Sequence, residues 1–282
     1  MTIPFIDFGG SGQPLVFLHA NGYPPECYQP LLAKLAKQYH VSAMYQRPLW
    51  KDSKPDEIED WRPLTDDFLH FLEENPSDPP IVVGHSMGGI AALRAAIRQP
   101  DWFKALILLD PVLFPPSFIF GWNIVRTLRL KYRLHPLIQA AQKRRRTFDD
   151  LEKVFSGYRR REVFRFFSDD ALKTFIAGMT KPASGGGYEL AYSPEWEIQI
   201  YVTSIWRDME LWRGLRTLKI PLLIIRGAET NTFFAATGQR VVRTNPSIRV
   251  ETIQKATHLV PLERPSETID IIQAFLSEKA IL

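Results

Sequence analysis

The residues best suited to chemistry are a serine and its flanking glycines, at the junction of a predicted strand and a predicted helix. Residues 81–94 read IVVGHSMGGIAALR, which is an apolar run of strand length, a Gly-His-Ser-Met-Gly turn and an alanine-rich helical pattern. In such a G-x-S-x-G elbow, a sharp turn strains the serine backbone and exposes its hydroxyl at the sheet edge. Gly84 and Gly88 remove Cβ atoms that would collide with neighbouring backbone. The pattern predicts Ser86 as a nucleophile.

A serine hydroxyl needs a base that accepts its proton and a third group that orients the base. The sequence has six histidines: His19 at the end of an early strand, His40 and His70 in or beside helical patterns, His85 at the variable position of the elbow, His135 in a later helical region, and His258. Only His258 lies on a loop after the last predicted strand. Because open α/β sheets place their sites at the carboxyl ends of the strands, we predict His258 as the general base.

The acid that orients this histidine has three candidates. Asp110 directly follows the predicted strand 105–109, which comes next after the elbow helix. The loop after the predicted strand 221–226 offers Glu229 and also Asn231. An amide can orient an imidazole through its carbonyl oxygen, but it cannot balance an imidazolium charge. We therefore rank Asp110 first, Glu229 second, and a site based on Asn231 or lacking an acid third.

The oxyanion of an acyl-transfer intermediate needs positioned N–H donors. The backbone N–H of Met87, directly after the nucleophile, is predicted to be one of them. The second is expected from residues 17–25, which read FLHANGYPP and follow the first parallel strand. The N–H of Asn21 or of Ala20 would serve, with Gly22 permitting an unusual backbone path. The alternative interpretation of this loop is an ordinary Asn-Gly turn.

Short apolar strands alternate with helical patterns, which predicts a mostly parallel sheet covered on both faces. The predicted parallel strands are 15–19, 41–45, 81–84, 105–109, 221–226 and 248–253, after an antiparallel strand near 3–8. Helical patterns fall near 26–38, 59–74, 87–98, 233–243 and 266–279. The alternation stops after Asp110, and about a hundred residues are too many for an ordinary crossover. We predict a core domain of residues 1–111 and 219–282 and an inserted helical cap of residues 112–218, with a turn at 183–187.

Composition bounds the class of protein. The 282 residues are 45% hydrophobic, which is enough for a sizeable core. Cys27 is the only cysteine, which excludes an internal disulfide and fits a cytoplasmic protein. The first residues lack the pattern of a signal peptide, and no apolar run approaches the roughly 18 residues of a membrane span. We expect no integral membrane segment.

The formal net charge is +4, and the basic surplus lies mainly between residues 126 and 165. A solvated helical face is the favoured interpretation, and peripheral contact with an anionic surface is the alternative. No nucleic-acid motif accompanies the basic residues, so no nucleic-acid partner is expected. No cluster of metal ligands appears, so neither a metal nor an organic cofactor is predicted. The sequence leaves the oligomeric state open.

These motifs together resemble a capped α/β-hydrolase of the serine esterase and lipase-like branch. Residues 84–89, Gly-His-Ser-Met-Gly-Gly, match the most common elbow of that superfamily, and residues 19–22, His-Ala-Asn-Gly, resemble its H-G-x-G oxyanion loop. The resemblance covers residues 3–111 and 219–280. It implies an eight-stranded, mostly parallel α/β sheet, a Ser-acid-His triad and a site between the sheet edge and the cap.

Two loops depart from the pattern of that superfamily. Residues 46–50 read Gln-Arg-Pro-Leu-Trp where many relatives carry Asp-x-Arg-Gly-x-Gly, and the loop after Arg226 lacks the expected aspartate. Some dehalogenase-like members similarly hold their acid after the strand that follows the elbow, which matches Asp110. Dehalogenases and epoxide hydrolases of the superfamily use an aspartate nucleophile, so Ser86 argues against both reactions.

The expected activity is hydrolysis of an ester or related acyl bond, through an acyl-enzyme, in a small-to-medium and largely apolar substrate. Cleavage of carbon–carbon bonds and acyl transfer to another acceptor use the same machinery, and a non-catalytic binding protein on the same scaffold is a third alternative. The aromatic side chains of the cap are expected mostly to pack against the core, and some to line an acyl pocket. They are Phe114, Phe118, Phe120, Trp122, Trp196, Trp206 and Trp212.

Overall fold

A seven-stranded sheet with helices on both faces forms the centre of the molecule in a computed structural model that describes residues 2–128 and 136–281. The strands are β1 (Phe5–Gly9), β2 (Pro14–Leu18), β3 (His40–Met44), β4 (Ile81–His85), β5 (Ala105–Leu109), β6 (Thr147–Phe148), β7 (Thr180–Pro182), β8 (Tyr188–Leu190), β9 (Leu222–Gly227) and β10 (Arg249–Ile253). The order in the large sheet is β1-β3-β2-β4-β5-β9-β10. Among the described strands of this large sheet, β1 runs antiparallel to its neighbour and the others pair in parallel, so the predicted α/β class is confirmed.

The helices alternate with these strands and fill the long segment between β5 and β9. They are α1 (Gln29–Leu35), α2 (Arg62–Glu74), α3 (Met87–Arg98), α4 (Pro116–Thr127), α5 (Pro136–Gln142), α6 (Leu151–Arg159), α7 (Asp169–Met179), α8 (Pro194–Thr203), α9 (Met209–Leu215), α10 (Ala235–Thr244), α11 (Val260–Glu263) and α12 (Pro265–Glu278). Short 3-10 helices cover Pro25–Tyr28, Arg47–Leu49, Pro55–Glu57, Pro100–Trp102 and Glu162–Phe164. Among the described residues, no helix is both long and apolar enough to cross a bilayer.

Among the described residues the large sheet has seven strands, not the eight that the family resemblance implies. Within the described ranges, the antiparallel strand β1 forms one edge and β10 forms the other. The residues that follow β10 form the His258 loop and then the helices α11 and α12. Residues 10–13 make only the short connection between β1 and β2, which is too short for a further strand.

Strands β4 and β5 are buried along their whole length, as expected for central parallel strands with helices on both faces. Their register pairs Gly84 with Leu108, and Leu108 pairs in turn with Ile224 of β9. Because the three strands are parallel and in register, their carboxyl ends lie at one edge of the sheet. The residues that follow these strands, including Ser86 and Asp110, therefore start from adjacent positions.

Two apolar clusters cover the two faces of the sheet. Alternate residues of β2 enter different clusters, Phe17 on one face and Leu18 on the other. Helices α1 and α12 pack on the Phe17 face, and α2, α3 and α10 pack on the Leu18 face. Residues between β5 and β9 contribute to both clusters, so this segment packs over both sides of the sheet edge.

The segment predicted to be a helical cap also contains a small antiparallel sheet in the order β6-β8-β7, which the sequence pattern did not predict. Residues 183–187 form the hairpin turn between β7 and β8, where the Gly187 carbonyl accepts a hydrogen bond of 3.1 Å from the Ala183 N–H. Gly186 and Gly187 have positive φ angles of 91° and 70°, which glycine adopts without strain. Strands of two or three residues leave too little periodicity to be predicted.

Many arginines of the basic segment 126–165 form ion pairs. Arg144 bonds to Glu197 at 2.5 Å, Arg146 pairs with Glu195, and Arg165 bonds to Glu229 at 2.5 Å. This pairing favours the interpretation of the basic residues as part of a paired and solvated surface. Four further residues of this segment, Arg129, Lys131, Arg133 and His135, lie outside the described residues.

Candidate active site

Ser86 occupies a strained turn between β4 and α3. Its φ angle of 56° and ψ angle of −115° are unusual for a residue with a side chain. A Cβ atom at Gly84 would lie 2.7 Å from the Gly88 carbonyl oxygen, and one at Gly88 would lie 2.4 Å from the Leu18 carbonyl oxygen. The two glycines therefore permit a turn that places the end of β2 against the start of α3.

His258 lies on the loop between β10 and α11 and reaches the serine. Its Nε2 is 2.9 Å from the Ser86 Oγ. The neighbouring Thr257 donates from both its N–H and its hydroxyl to the Glu263 carboxylate, at 2.6 and 2.9 Å. A Cβ atom at Gly227 would lie 2.2 Å from the Thr257 carbonyl oxygen, so the loop packs tightly against the end of β9. Contacts of the loop backbone, as well as the hydrogen bond of the ring, therefore fix the position of His258.

Asp110 completes a line of three side chains. Its Oδ1 lies 2.9 Å from the His258 Nδ1, and the carboxylate is fully buried. Asp110 also accepts the Gly227 N–H at 3.0 Å and the Thr230 hydroxyl at 2.7 Å. Its positive φ angle of 42° turns the chain sharply at the end of β5. The His258 ring, the Gly227 N–H and the Thr230 hydroxyl thus give this buried side chain three hydrogen-bond partners.

The two alternative acids make other contacts. Glu229 bonds to Arg165 of the segment between β5 and β9, and the side-chain oxygen of Asn231 accepts the Thr232 hydroxyl at 3.2 Å. Of the three candidates, the structure brings Asp110 to His258. The β9 loop contributes Thr230, a donor to the acid that sequence reasoning missed. Its position beside Glu229 and Asn231, after a core strand, was the available signal.

The two predicted oxyanion donors, Met87 and Asn21, lie at the start of α3 and in the loop after β2. Met87 is the first residue of α3, so its N–H has no acceptor within the helix. The Ala20 N–H donates to the Tyr28 hydroxyl at 3.2 Å and is therefore already used. Among the described residues, no hydrogen bond engages the Asn21 N–H, which leaves it as the better donor candidate of the β2 loop.

Contacts from the segment between β5 and β9 hold the Asn21 side chain. Its Nδ2 donates to the backbone oxygen of Glu197 at 3.1 Å, and its Oδ1 accepts the Tyr192 hydroxyl at 2.8 Å. Gly22 follows with a positive φ angle of 79°. A Cβ atom there would lie 3.4 Å from the Arg144 guanidinium, so the loop runs directly beneath the Arg144–Glu197 pair.

Residues 46–50, which depart from the superfamily pattern, contact the loop after β2 through His19. The Gln46 N–H donates to the His19 Nε2 at 3.1 Å, and the Gln46 amide donates to the His19 carbonyl oxygen. The His19 Nδ1 lies 2.8 Å from the Ala20 carbonyl oxygen. Burial lowers the pKa of His19 to about 4, which keeps this ring neutral near pH 7. Gln46 therefore holds His19, which lies two residues before Asn21.

A cavity of about 490 Å³ lies beside Tyr23, two residues beyond Asn21. The Arg144–Glu197 ion pair lines it; although burial opposes the charged form, the Glu197 carboxylate raises the pKa of Arg144. Neither Ser86 nor His258 lines the cavity. The aromatic rings in its wall are Tyr23, Phe148, Tyr158, Phe164, Phe175 and Tyr201, and none of the seven aromatic residues considered for an acyl pocket is among them.

The seven aromatic residues differ widely in exposure. Trp196 and Trp212 are buried, whereas Phe118 and Phe120 are 43% and 69% exposed.

Within the described ranges, no three His, Cys, Asp or Glu side chains converge in a way that could hold a metal ion.

Comparisons of the sequence and the structure with known proteins identify the family of this chain. The model of the alpha/beta hydrolase family matches residues 15–271. The chain is 24% identical, over 95% of its length and 89% of the relative, to a 2-(acetamidomethylene)succinate hydrolase of Mesorhizobium japonicum. Its structure is similar to that of an E-2-(acetamidomethylene)succinate hydrolase, with a TM-score of 0.77 and 22% identity over 97% of this chain and 94% of the other.

An esterase from Mycobacterium tuberculosis is similar in fold, with a TM-score of 0.73 and 19% identity over 98% of this chain and 88% of the esterase. The family match spans the elbow, the Asp110 turn and the His258 loop. The chain therefore belongs to the alpha/beta hydrolase family.

Proposed function

We propose that this protein is a serine hydrolase that cleaves an ester or a related acyl bond through an acyl-enzyme. The observation that carries the proposal is the continuous line from the Ser86 Oγ through His258 to Asp110, with both hydrogen bonds at 2.9 Å. Since a carboxylate only accepts hydrogen bonds, the Nδ1 of neutral His258 carries the hydrogen and its Nε2 is free to accept the serine proton. This is the tautomer that general-base catalysis requires.

In the proposed acylation step, the Ser86 oxygen bonds to the substrate carbonyl carbon while its proton passes to the His258 Nε2. The buried Asp110 carboxylate stabilises the imidazolium that results. The N–H groups of Met87 and Asn21 donate to the developing oxyanion, each contributing about 3 kcal/mol in the transition state. His258 then donates the proton to the leaving group, whose bond to the carbonyl carbon breaks.

Deacylation repeats these steps with water as the nucleophile. His258 accepts a proton from a water molecule while the water oxygen attacks the acyl carbon. Collapse of the second tetrahedral intermediate releases the carboxylic acid and returns the proton to the Ser86 oxygen. The substrate class proposed here is a small-to-medium, largely apolar acyl compound.

In this proposal the core, residues 1–111 and 219–282, performs the chemistry, and residues 112–218 act as a cap over it. The support for this division is that Ser86, Asp110 and His258 all come from the core, whereas Tyr192 and Glu197 approach Asn21 from the other segment. A cytoplasmic location remains a prediction from the single cysteine. Contact between the basic residues and an anionic surface remains the alternative second role.

The test is hydrolysis of p-nitrophenyl esters of graded acyl length, together with labelling by a fluorophosphonate. We expect turnover and labelling in the wild-type protein and loss of both in Ser86→Ala, since the hydroxyl is the reacting group. Equal rates in the two proteins would overturn the assignment. An unlabelled wild-type protein would favour a non-catalytic binding protein.

The same assay distinguishes ester hydrolysis from acyl transfer and from carbon–carbon cleavage. Adding a short-chain alcohol diverts the acyl group into a new ester if the protein is an acyltransferase, while a hydrolase mainly releases the free acid. A protein that is labelled by the fluorophosphonate but turns over a 1,3-diketone faster than any ester is a carbon–carbon hydrolase.

A further inference from the structure

His85, the variable residue of the elbow, joins two loops of the proposed active site. It is the last residue of β4 and is fully buried. Its Nε2 lies 2.8 Å from the backbone oxygen of His258, and its Nδ1 lies 2.7 Å from the Tyr28 hydroxyl. That hydroxyl lies 3.2 Å from the N–H nitrogen of Ala20, the residue before Asn21. A chain of hydrogen bonds thus runs from the β2 loop to the loop that carries the base.

The chemistry of each group fixes the direction of every bond in this chain. A carbonyl oxygen only accepts, so the His85 Nε2 carries the ring hydrogen and donates to His258. The Nδ1 of that tautomer accepts, so the Tyr28 hydroxyl donates to it and accepts the Ala20 N–H through a lone pair. Each donor meets one acceptor, and no donor is left over. Such a fully satisfied buried network has a single arrangement.

The ring stays neutral, which keeps these directions fixed. Burial lowers the pKa of His85 well below its usual value, and the nearby His258 lowers it further. The rings of His85 and His258 are 5.0 Å apart. The Tyr28 ring packs between Phe17 and His85, at 4.6 and 5.7 Å, so the hydroxyl has little freedom to move.

We propose that His85 and Tyr28 are positioning residues that hold the oxyanion loop and the base loop at a fixed separation around Ser86. This inference rests on the proposed function, because the separation matters only if both loops act on one reacting centre. The Asn21 N–H must reach the oxygen of the substrate carbonyl group, while the His258 Nε2 must reach the attacking and leaving atoms on the carbon of the same group. A displacement of 1 Å at such a centre costs about 100-fold in rate.

The test uses three substitutions and a matched control. Tyr28→Phe removes only the hydroxyl and keeps the ring. His85→Gln keeps an amide donor near the Nε2 position but removes the imidazole acceptor. The third protein carries both changes. Tyr39→Phe is the control, since Tyr39 is equally buried and its hydroxyl has no hydrogen-bond partner among the described residues.

We expect Tyr28→Phe to lower kcat for p-nitrophenyl butyrate about tenfold with little change in KM, because substrate contacts are untouched while the two loops drift apart. The double variant should lose no more than the worse single variant, since one break already disconnects the loops. Tyr39→Phe should keep the wild-type kcat. A merely structural role would lower the melting temperature but leave the kcat of the folded protein unchanged.

Amide hydrogen exchange in the Ser86→Ala background measures the chain without turnover. The Ala20 amide should exchange at least tenfold faster after Tyr28→Phe, and the ring-nitrogen shifts of His85 should report an Nε2–H tautomer. If His85→Gln fails to fold, Tyr28→Phe carries the test alone.

The outcomes separate this proposal from the proposed function. Full kcat in Tyr28→Phe beside an active wild-type protein overturns the positioning role alone, as do additive losses in the double variant. A wild-type protein that neither cleaves esters nor reacts with a fluorophosphonate overturns the proposed function, and the positioning role with it.

Discussion

The two sides of Ser86 are held in different ways. On the base side, Asp110, Gly227 and Thr230 all belong to the turns at the ends of β5 and β9. On the oxyanion side, the Asn21 side chain depends on Tyr192 and on the Glu197 carbonyl, both from the segment between β5 and β9. Asp110 and His258 are thus held at the ends of strands of the large sheet, whereas the Asn21 side chain is held by the segment between β5 and β9. Perturbing that segment should affect one half of the machinery more than the other.

The largest expected effect comes from breaking the base side. Asp110→Asn should lower kcat for p-nitrophenyl butyrate about 10⁴-fold. An amide offers His258 a donor as well as an acceptor, so it does not select one tautomer, and it cannot balance the imidazolium charge. Steady-state kinetics measures the loss. Glu229→Gln is the matched control and should stay near wild-type, since Glu229 bonds to Arg165. A comparable loss in the control would move the acid to the β9 loop.

A smaller effect concerns how pH acts on the two sides. The pKa of His19, beside the oxyanion loop, is lowered by burial to about 4, so the unfolded chain binds more protons below pH 6.5. The free energy of unfolding should therefore fall by about 3 kcal/mol as the pH drops from 6.5 to 4. His19→Gln should make this decline shallower in urea titrations at each pH.

Glu263 accepts hydrogen bonds from the His258 loop, and its effect on the free energy of unfolding should change with pH in the opposite direction. Burial raises the pKa of its carboxyl above the usual value, so the folded state binds more protons than the unfolded chain. Its contribution is present at low pH and is lost as the pH rises through the folded pKa. Glu263→Gln should remove that loss. The contrast between the two sides is wrong if both substitutions change the pH dependence in the same direction.

The smallest expected effect concerns the hydrogen bond between Tyr192 and the Asn21 side chain. Tyr192→Phe removes one neutral hydrogen bond to Asn21, worth about 1 kcal/mol, and should lower kcat about fivefold. Tyr188→Phe, in β8, is the control and should leave kcat unchanged. An unchanged kcat in Tyr192→Phe would show that the oxyanion loop holds its shape without this contact.

Local patterns in the sequence predicted much of what positions the site. The apolar runs before Ser86 and Asp110 are β4 and β5, and the run before the His258 loop is β10. Each strand repeats one chemical preference over neighbouring residues, which a sequence displays directly. The elbow glycines are equally local, since their role depends on a turn of five residues.

Tertiary contacts decided the remaining details. Pairing of β5 with β9 brings Gly227 and Thr230 to Asp110, whereas Glu229 turns to Arg165. The Tyr28 hydroxyl accepts the backbone N–H of Ala20, so the backbone N–H of Asn21 is the one left for an oxyanion. Residues 17–25 do not include Tyr28 and could not have revealed this difference.

The sequence by itself determined the type of sheet, the serine turn and the histidine loop, because each follows from preferences of adjacent residues. Only the folded chain decided which carboxylate meets the histidine, which amide stays free and what His85 contacts. Those outcomes depend on distances between segments far apart in the chain, and such distances are set by the packing of the whole molecule.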